Sequence, residues 1–381
     1  FIMDVQGHLV DYDLTPDTDW DGTHFFGQNF PQRHCGEQDP RACFSIDEFL
    51  DLFFLQSDTS TVVLSSIPVI LDNPLSNDSM AKTQAIARAL CADDRVLAQG
   101  QATPNVGQLE DSLARMTVLR ESFDIVAWKA YCHLPAAQAY FLDDHDPRGA
   151  PVGQAFIDFV RSAGPPVIAV HKGFRGVGGA DAGRFASPVD VGPAARRNPD
   201  VAFVVYHSGY ESDVVEGAYA PSAPNGGIDR LIASVERAGL GPGQNVYAEL
   251  GSTWRAVMSD PDQAAHVLGK LLKAFGEDNV VWGTDSIWYG SPQDQIEAFR
   301  SFEISEAYQE TYGYPALTEE LKAKILGLNS AALYAVEPVH RPCGFDRADI
   351  SNAREELALP AVTLGPTTAR EAQAIIDSHT T

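Results

Sequence analysis

The sequence predicts an α/β fold, specifically a (β/α)8 TIM barrel with a C-terminal extension. Short apolar segments rich in β-branched residues alternate with longer segments of helical spacing, and eight such strand segments occur. Strands separated by helices pair in parallel through right-handed crossovers, and eight repeats favour a closed barrel over an open sheet. A length of 381 residues accommodates one such barrel and a shorter tail.

Each predicted strand is a short run of mainly apolar residues, and several, such as Phe203–Tyr206, are apolar throughout, which is typical of parallel strands buried on both faces. The eight predicted strands are Ile2–Val10, Thr61–Ile67, Val96–Gln101, Asp124–Tyr131, Pro166–His171, Ala202–His207, Asn245–Leu250 and Asn279–Asp285. The predicted helices are Asp47–Leu55, Ala81–Leu90, Leu109–Leu119, Val152–Ala163, Ile228–Ala238, Asp262–Phe275, Gln293–Phe302 and an amphipathic Glu319–Val336. We expect the barrel to span residues 1–337, and residues 338–381 to form an extension that packs on the barrel or on a neighbouring subunit.

Composition restricts the class of partner. The chain has 27 basic and 52 acidic residues and a net charge of -25, which argues against binding to nucleic acid or to an anionic membrane surface. No apolar run of about 18 residues is present, so no membrane span is predicted. The glycine-rich stretch 173–183 lacks the G-x-G-x-x-G pattern between a strand and a helix, which excludes a dinucleotide site of that kind. We therefore expect a small-molecule substrate, and self-association or assembly with a related barrel.

The five cysteines are few and odd in number, so no disulfide framework is expected. Cys35 and Cys43 lie close enough in sequence to pair or to bind a metal, although they do not form a C-x-x-C motif. No signal peptide is visible, and a cytoplasmic location is expected. Because the first residue is Phe1 rather than methionine, the question of a lost leader peptide stays open.

Polar residues end most of the predicted strands. In α/β barrels the active site lies at the carboxyl ends of the strands, and imidazoles and carboxylates together form sites for zinc, manganese or iron. The strand-end residues are Asp4, Gln6 and His8 on the first strand, Lys129 on the fourth, His171 on the fifth, His207 on the sixth, Glu249 on the seventh and Asp285 on the eighth.

Each of these residues also has a structural interpretation. A strand-end histidine is commonly a hydrogen-bonding residue, Asp285 could cap a helix, Lys129 could form an ion pair, and Glu249 could bind a backbone amide. The coincidence of three histidines and one aspartate at the same end of four strands nevertheless predicts a metal-centred site. The remaining histidines lack this context and are expected to be surface or structural residues: His24, His34, His133, His145, His266, His340 and His379.

Four segments carry a family resemblance. The opening Asp4–His8 resembles the Asp-x-His-x-His motif of the amidohydrolase superfamily. The segments Val205–Gly209, Gly283–Asp285 and Lys324–Tyr334 resemble the amidohydrolase-related branch that includes aminocarboxymuconate-semialdehyde decarboxylase. The resemblance covers about residues 1–337. It implies a metal-dependent (β/α)8 enzyme that hydrolyses amides, lactones or C–C bonds, or that removes carboxylate groups.

The resemblance also implies roles for single residues. His8, His171 and Asp285 correspond to metal ligands, and His207 to the histidine that orients or activates the metal-bound water. Gln6 stands where the family has its first metal-binding histidine, and an amide oxygen is a weaker ligand than imidazole.

Other residues could complete the site. Asp4, Glu211 or Glu249 are candidates to replace the missing ligand, around one or two ions of zinc, manganese or iron. His207 or Asp285 would accept the proton of the water, and Lys129 or Arg184 would neutralise an anionic substrate. Arg184 and Glu211 are thus the candidate substrate-binding residues.

Gln6 leaves two alternative functions open. A glutamine at this place also resembles a branch with dinuclear-iron oxygenases, in which further carboxylates would bind a second metal. The third interpretation is a catalytically degenerate barrel that acts as the partner subunit of an active relative. Aromatic residues of the loop after the first strand (Trp20, Phe25, Phe26 and Phe30) line either the pocket mouth or an ordinary loop core.

Overall fold

Eight parallel strands form a barrel in the computed structural model, which describes residues 1–11, 30–37, 42–66, 75–176, 179–222, 224–340 and 343–359. The strands follow one another in chain order around the sheet. They are β1 Met3–Gly7, β2 Thr61–Leu64, β3 Val96–Ala102, β4 Ile125–Ala130, β5 Val167–His171, β6 Ala202–Tyr206, β7 Val246–Glu249 and β8 Val280–Val281. β1 and β8 meet through backbone hydrogen bonds from Val5 to Trp282 and from His8 to Ser286. The predicted (β/α)8 barrel is confirmed.

Helices lie outside the strands and separate them in sequence. The described helices are α1 Ile46–Phe54, α2 Asn77–Cys91, α3 Leu109–Ser122, α4 Gly153–Ala163, α5 Ala180–Gly183, α6 Val191–Arg197, α7 Ile228–Arg237, α8 Thr253–Val257, α9 Pro261–Phe275, α10 Gln293–Ser301, α11 Glu306–Tyr312, α12 Glu319–Ala323, α13 Asn329–Leu333 and α14 Arg347–Glu356. Within these described parts, no helix is both long and apolar enough to cross a membrane.

The longer helices pack on the barrel through apolar side chains, and α7 shows the pattern most clearly. In α7, Ile228, Leu231, Ile232 and Val235 recur at helical spacing and are all buried. Burial of one such side chain stabilises the fold by about 1.5–3 kcal/mol. Two large apolar clusters result on the outside of the barrel, and one of them contains helices α1 and α14.

Several strands are shorter than the sequence predicts. β8 contains only Val280 and Val281, because the chain leaves the sheet afterwards and reaches Asp285 with a positive φ of 58°. Asp285 therefore lies in the loop after the strand, and it does not cap α10, whose N-cap is Pro292. The predicted final helix is interrupted as well, since a π-helical segment from Lys324 to Leu328 separates α12 from α13.

The expectation that the chain has no disulfide framework is wrong, and the pairing that was left open for Cys35 and Cys43 is present. Cys35 pairs with Cys43 and Cys91 pairs with Cys343, while Cys132 is buried and free. The second pair joins residues 252 positions apart, so sequence spacing gave no sign of it. Their Cα atoms, 5.2 Å apart, meet only because the fold brings the C-terminal segment against α2.

The described part of the C-terminal segment packs against its own barrel. Helix α14 begins with a capping box between Asp346 and Asp349 and packs on α1 and α2. Arg347 Nη2 lies 2.5 Å from carboxylate oxygens of both Glu48 and Asp51 in α1.

Candidate active site

The carboxyl ends of β1 and β8 bring His8 and Asp285 together. Nε2 of His8 lies 3.0 Å from Oδ1 of Asp285. Nε2 of Gln6 donates a hydrogen bond to the same oxygen at 2.9 Å and lies 3.4 Å from Nε2 of His8. The amide nitrogen of Gln6 thus adjoins both His8 and Asp285.

The second oxygen of Asp285 is held by a pair of hydroxyl groups. Ser252 Oγ donates to Oδ2 of Asp285 at 2.5 Å, and Ser252 Oγ is 2.8 Å from the hydroxyl of Tyr289. Since Ser252 has one proton, Tyr289 must donate to Ser252 when Ser252 donates to Asp285. Burial raises the pKa of Asp285, but the hydrogen bonds from His8 and Ser252 and the proximity of His207 together lower it, so the carboxylate is ionised.

β5 and β6 bring a second pair of imidazoles to the same rim. Nε2 of His207 lies 3.1 Å from Nδ1 of His171. Nδ1 of His207 is 2.8 Å from the carbonyl oxygen of Gly251, which fixes the proton on Nδ1. Nε2 of His207 therefore accepts the hydrogen bond from Nδ1 of His171, and Nε2 of His171 keeps a lone pair without a partner among the described residues. Burial lowers the pKa of His171 and lowers that of His207 to about 4, so both rings are neutral near pH 7.

His133 joins this group, which the sequence did not predict. It is fully buried, and its ring centroid lies 4.9 Å from that of His171. Burial and the positive charges of Lys172 and Lys129 lower the pKa of His133 to about 3. Neither ring nitrogen has a hydrogen-bond partner among the described residues. His133 is not a surface residue, and extending the strand-end rule three residues past β4 would have found it.

Lys129 lies inside the barrel below these histidines. Its Nζ is 3.5 Å from the centroid of the Tyr206 ring and 4.7 Å from that of Tyr131, and it has no hydrogen-bond partner among the described residues. Burial lowers the pKa of Lys129 to about 7, although the negative charges of Asp285 and Glu249 oppose this shift. A buried amine without a counter-ion in contact is available for a ligand.

Two of the candidate carboxylates bind backbone amides at the ends of the strands. Asp4 accepts hydrogen bonds from the amides of Gln6 at 2.9 Å and Thr284 at 3.2 Å, and Glu249 accepts from the amides of His207 at 2.9 Å and Gly251 at 2.6 Å. Burial raises the pKa of Asp4 to about 7 and that of Glu249 to about 8. A ligand role for either residue would require it to release these amides, and it stays a prediction.

The two candidate substrate-binding residues, Arg184 and Glu211, have partners other than the histidines of the site. Glu211 Oε1 accepts a hydrogen bond from Nε of Arg175 at 2.5 Å. Arg184 stacks on Phe185 and lines a cavity of about 510 Å³ together with Arg148. None of the histidines at the barrel rim is among the described residues that line this cavity, so a role of Arg184 toward the substrate stays a prediction.

An aromatic wall covers the His8 side of the site. The ring of Trp288 stacks on His8, with centroids 5.5 Å apart, and Phe30 stacks on Trp288 at 5.1 Å. Phe30 is therefore close to the site, as one of the two interpretations of this loop expects. Trp20, Phe25 and Phe26 lie outside the described residues.

Backbone strain is concentrated at the same rim. His207, Ser208, Ser252 and Asp285 all have positive φ angles between 49° and 65°, a region that side chains other than glycine rarely adopt. Such conformations persist only where the surroundings impose them, and they cluster at functional sites.

The donor chemistry fits a divalent transition metal. Imidazole and carboxylate are its usual ligands, and His207 has the proton on one nitrogen bound by a backbone carbonyl, as metal-binding histidines commonly do. Nδ1 of His8, Nε2 of His171 and Oε1 of Gln6 are buried without a partner among the described residues. Within the same part of the chain, no three His, Cys, Asp or Glu side chains gather around one point, so the pairs are close but not preassembled into a coordination sphere.

The chain belongs to the amidohydrolase family. The family model for amidohydrolases matches residues 81–336, which confirms the resemblance and identifies the chain as an enzyme of the amidohydrolase type. No curated protein matches the sequence.

Solved structures are similar to the chain, and the first of the following three supports the barrel fold. An uncharacterised TIM-barrel protein from Bordetella bronchiseptica is similar, with a TM-score of 0.56 and 16% identity over 88% of this chain and 98% of that one. A putative 2-pyrone-4,6-dicarboxylic acid hydrolase from Pseudomonas putida has a TM-score of 0.48 and 13% identity over 89% and 98%. A dihydroxybenzoic acid decarboxylase from Polaromonas sp. JS666 with bound manganese has a TM-score of 0.44 and 13% identity over 88% and 96%.

Proposed function

We propose that this chain is a metal-dependent hydrolase of an amide, lactone or C–C bond, or a decarboxylase, acting on a small molecule at the rim of the barrel. The observation that carries this proposal is the meeting of two close donor pairs, His8 with Asp285 and His171 with His207. Membership of the amidohydrolase family supports the class of chemistry, and the choice among these reactions remains part of the proposal.

His8, His171 and Asp285 are the residues that would hold the metal. Gln6 presents its amide nitrogen to His8 and Asp285, so it would have to turn its amide over to supply the oxygen as a weak fourth donor. When bound, a divalent metal would lower the pKa of a water molecule and polarise a carbonyl or carboxylate of the substrate. Zinc, manganese and iron all accept this set of ligands. The site would hold either one or two of these ions.

The side chains around the metal ligands would handle protons and charge. Nε2 of His207 is the unprotonated nitrogen of its ring, and after release of its hydrogen bond from His171 it would accept the proton set free in the reaction. Lys129 would neutralise an anionic group of the substrate, since its Nζ is buried and unpaired among the described residues. Trp288 and Tyr131 cover His8 and His171 with aromatic surface, which limits the access of bulk water.

The oxygenase alternative requires more carboxylates. Asp4 and Glu249 are bound to backbone amides and Glu211 is bound to Arg175, so a second metal would have to displace these partners. The degenerate-subunit alternative is favoured by one observation, the hydrogen bond from Gln6 to Asp285 in place of a further ligand.

The two disulfides concern the cellular compartment in which the protein folds. Structural disulfides form and persist in oxidising environments and are rare in a reducing cytosol. They support folding in an oxidising compartment rather than the cytoplasmic location expected from the sequence. Thiol titration of the denatured protein, without reductant, would test this: one reactive thiol, from Cys132, is expected, and five would contradict it.

Metal removal and replacement would test the function. The protein is freed of metal with a chelator, and turnover of a panel of amides, lactones and carboxylated aromatics is followed as zinc, manganese or iron(II) is returned, with and without dioxygen. We expect turnover that depends on the metal and is independent of oxygen. Turnover that requires oxygen and a reductant would favour the oxygenase, and metal-independent turnover would overturn the proposal.

A further inference from the structure

We propose that the two disulfides form a redox-sensitive brace that holds the aromatic wall of the site against His8. The brace consists of helix α1, helix α14 and the turn Pro31–His34, which the disulfides Cys35–Cys43 and Cys91–Cys343 attach to one another and to α2. The inference rests on the position of His8 in the proposed site but not on the reaction that occurs there.

The first half of the brace runs from the C-terminal disulfide to α1. Cys343 is joined to the last residue of α2, and four residues later Arg347 begins α14. Arg347 contacts Glu48 and Asp51 of α1, and Nε of Arg354 lies 2.6 Å from Oδ1 of Asp47. Loss of the disulfide would leave α14 attached by these partly exposed ion pairs and by its apolar contacts, and exposed ion pairs contribute little by themselves.

The second half runs from α1 to the site. Glu48 accepts a hydrogen bond from Nε2 of Gln32 at 3.3 Å, and the same nitrogen donates to the carbonyl of Cys43 at 3.1 Å. The backbone amide of Gln32 donates to the carbonyl oxygen of Trp288 at 3.1 Å. Trp288 is the residue whose ring stacks on His8. The Cys35–Cys43 disulfide therefore closes the turn that binds Trp288 directly.

The apolar packing joins Trp288 to the side of the barrel that contains β2 and β3. Ile350 and Ala353 of α14, Phe49 of α1 and Trp288 share one hydrophobic cluster. The larger cluster, which contains the helices packed on β4 to β8, contains none of these four residues. The shared cluster also contains apolar residues of β2 and β3, so loosening after reduction would be confined to this side of the barrel and would leave β4 to β8 packed.

Both disulfides are accessible to thiols. Cys35 is exposed, and Cys91 and Cys343 are half-buried. In the reaction with a dithiol, a thiolate attacks one sulfur, the S–S bond breaks, and a second attack releases the cyclic disulfide of the reagent. Two electrons and two protons pass to the protein, which gains two cysteine thiols for each disulfide reduced.

Hydrogen exchange followed by mass spectrometry tests the brace in the full-length protein. Backbone amides of residues 286–290 are compared with those of residues 203–206 in β6, before and after reduction with dithiothreitol. We expect at least tenfold faster exchange at residues 286–290 after reduction, and no change in β6. The double variants Cys35→Ser/Cys43→Ser and Cys91→Ser/Cys343→Ser should each reproduce part of the effect, whereas Cys132→Ser, which removes only the free thiol, should not.

Three results would overturn the brace. The first is equal exchange at residues 286–290 in the oxidised and reduced protein. The second is loss of protection in β6 together with residues 286–290, and the third is failure of both the reduced protein and the double variants to fold. The last two results would mean that the disulfides stabilise the whole fold rather than this wall. The metal content of the oxidised protein tests the proposed function separately, so a brace that fails leaves that function standing.

Discussion

His8 Nε2 lies 3.0 Å from Oδ1 of Asp285, so the residues after the first and the last strand of the barrel meet where the sheet closes. The backbone bonds that close the barrel, including the one from His8 to Ser286, are thus the bonds that assemble half of the candidate site. The other half, His171 and His207, stands on adjacent strands. Four predictions follow from how these residues are held.

His171→Ala should remove the metal and leave the protein folded. Nε2 of His171 has no partner among the described residues, and Nδ1 bonds to the neighbouring side chain of His207 at the rim, so the substitution breaks no bond within the strands. We expect metal content per chain to fall at least tenfold, with an unchanged far-ultraviolet circular dichroism spectrum. His340→Ala, at an exposed position away from the rim, is the matched control and should keep the metal. Full metal stoichiometry in His171→Ala would remove His171 from the ligand set.

Gln6→His should strengthen metal binding. The side chain of Gln6 adjoins both His8 and Asp285, and imidazole is a stronger ligand than an amide oxygen for zinc. We expect zinc affinity, measured by competition with a chromophoric chelator, to rise at least tenfold. Gln6→Asn, which keeps an amide, serves as the control. Unchanged affinity in Gln6→His would mean that this position lies outside the metal site.

Ser252→Ala should destabilise the metal-free protein through Asp285. Ser252 donates to the ionised carboxylate, and hydrogen bonds to charged groups contribute about 1.5–3 kcal/mol. We expect a loss of about that size in the free energy of unfolding, measured with urea. Tyr289→Phe removes only the outer hydroxyl and should cost less. Equal effects of the two substitutions, or no effect of Ser252→Ala, would show that this hydroxyl pair does not support Asp285.

The stability of the metal-free protein should depend on pH through His133. Its folded pKa is lowered from about 6.5 to about 3, so its contribution to stability is complete above pH 6.5 and is lost as the pH falls toward 3. One such proton changes the free energy of unfolding by about 1.4 kcal/mol per pH unit within that window. In His133→Gln we therefore expect a slope between pH 6 and pH 5 that is smaller by roughly 1 kcal/mol per unit. Identical slopes in both proteins would contradict a buried neutral His133.

The sequence predicted the barrel because strand and helix periodicities repeat locally, and burial on both faces makes strands such as Phe203–Tyr206 apolar throughout. Strand ends were less certain, since the change from sheet to loop after Val281 depends on backbone strain at Asp285 rather than on apolar pattern. The placement of His8 and Asp285 at one rim followed from barrel geometry alone, which puts the carboxyl ends of all strands on the same side.

Long-range partners were beyond prediction from the sequence. Cys91 and Cys343 are 252 positions apart and meet only in the folded arrangement of the C-terminal segment against α2, and Ser252 reaches Asp285 only because β7 and β8 are adjacent. His133 was missed for a different reason: it lies in the loop past β4, where strand alternation no longer indicates the direction of a side chain.

Elemental analysis of the freshly purified protein, per mole of chain, tests the central claim most directly. We expect one or two divalent zinc, manganese or iron ions per chain, and a loss of metal in His171→Ala but not in His340→Ala. A protein that contains no metal, and that binds none when zinc, manganese or iron(II) is added, would contradict it and would favour a degenerate subunit in which Gln6 replaces a lost ligand.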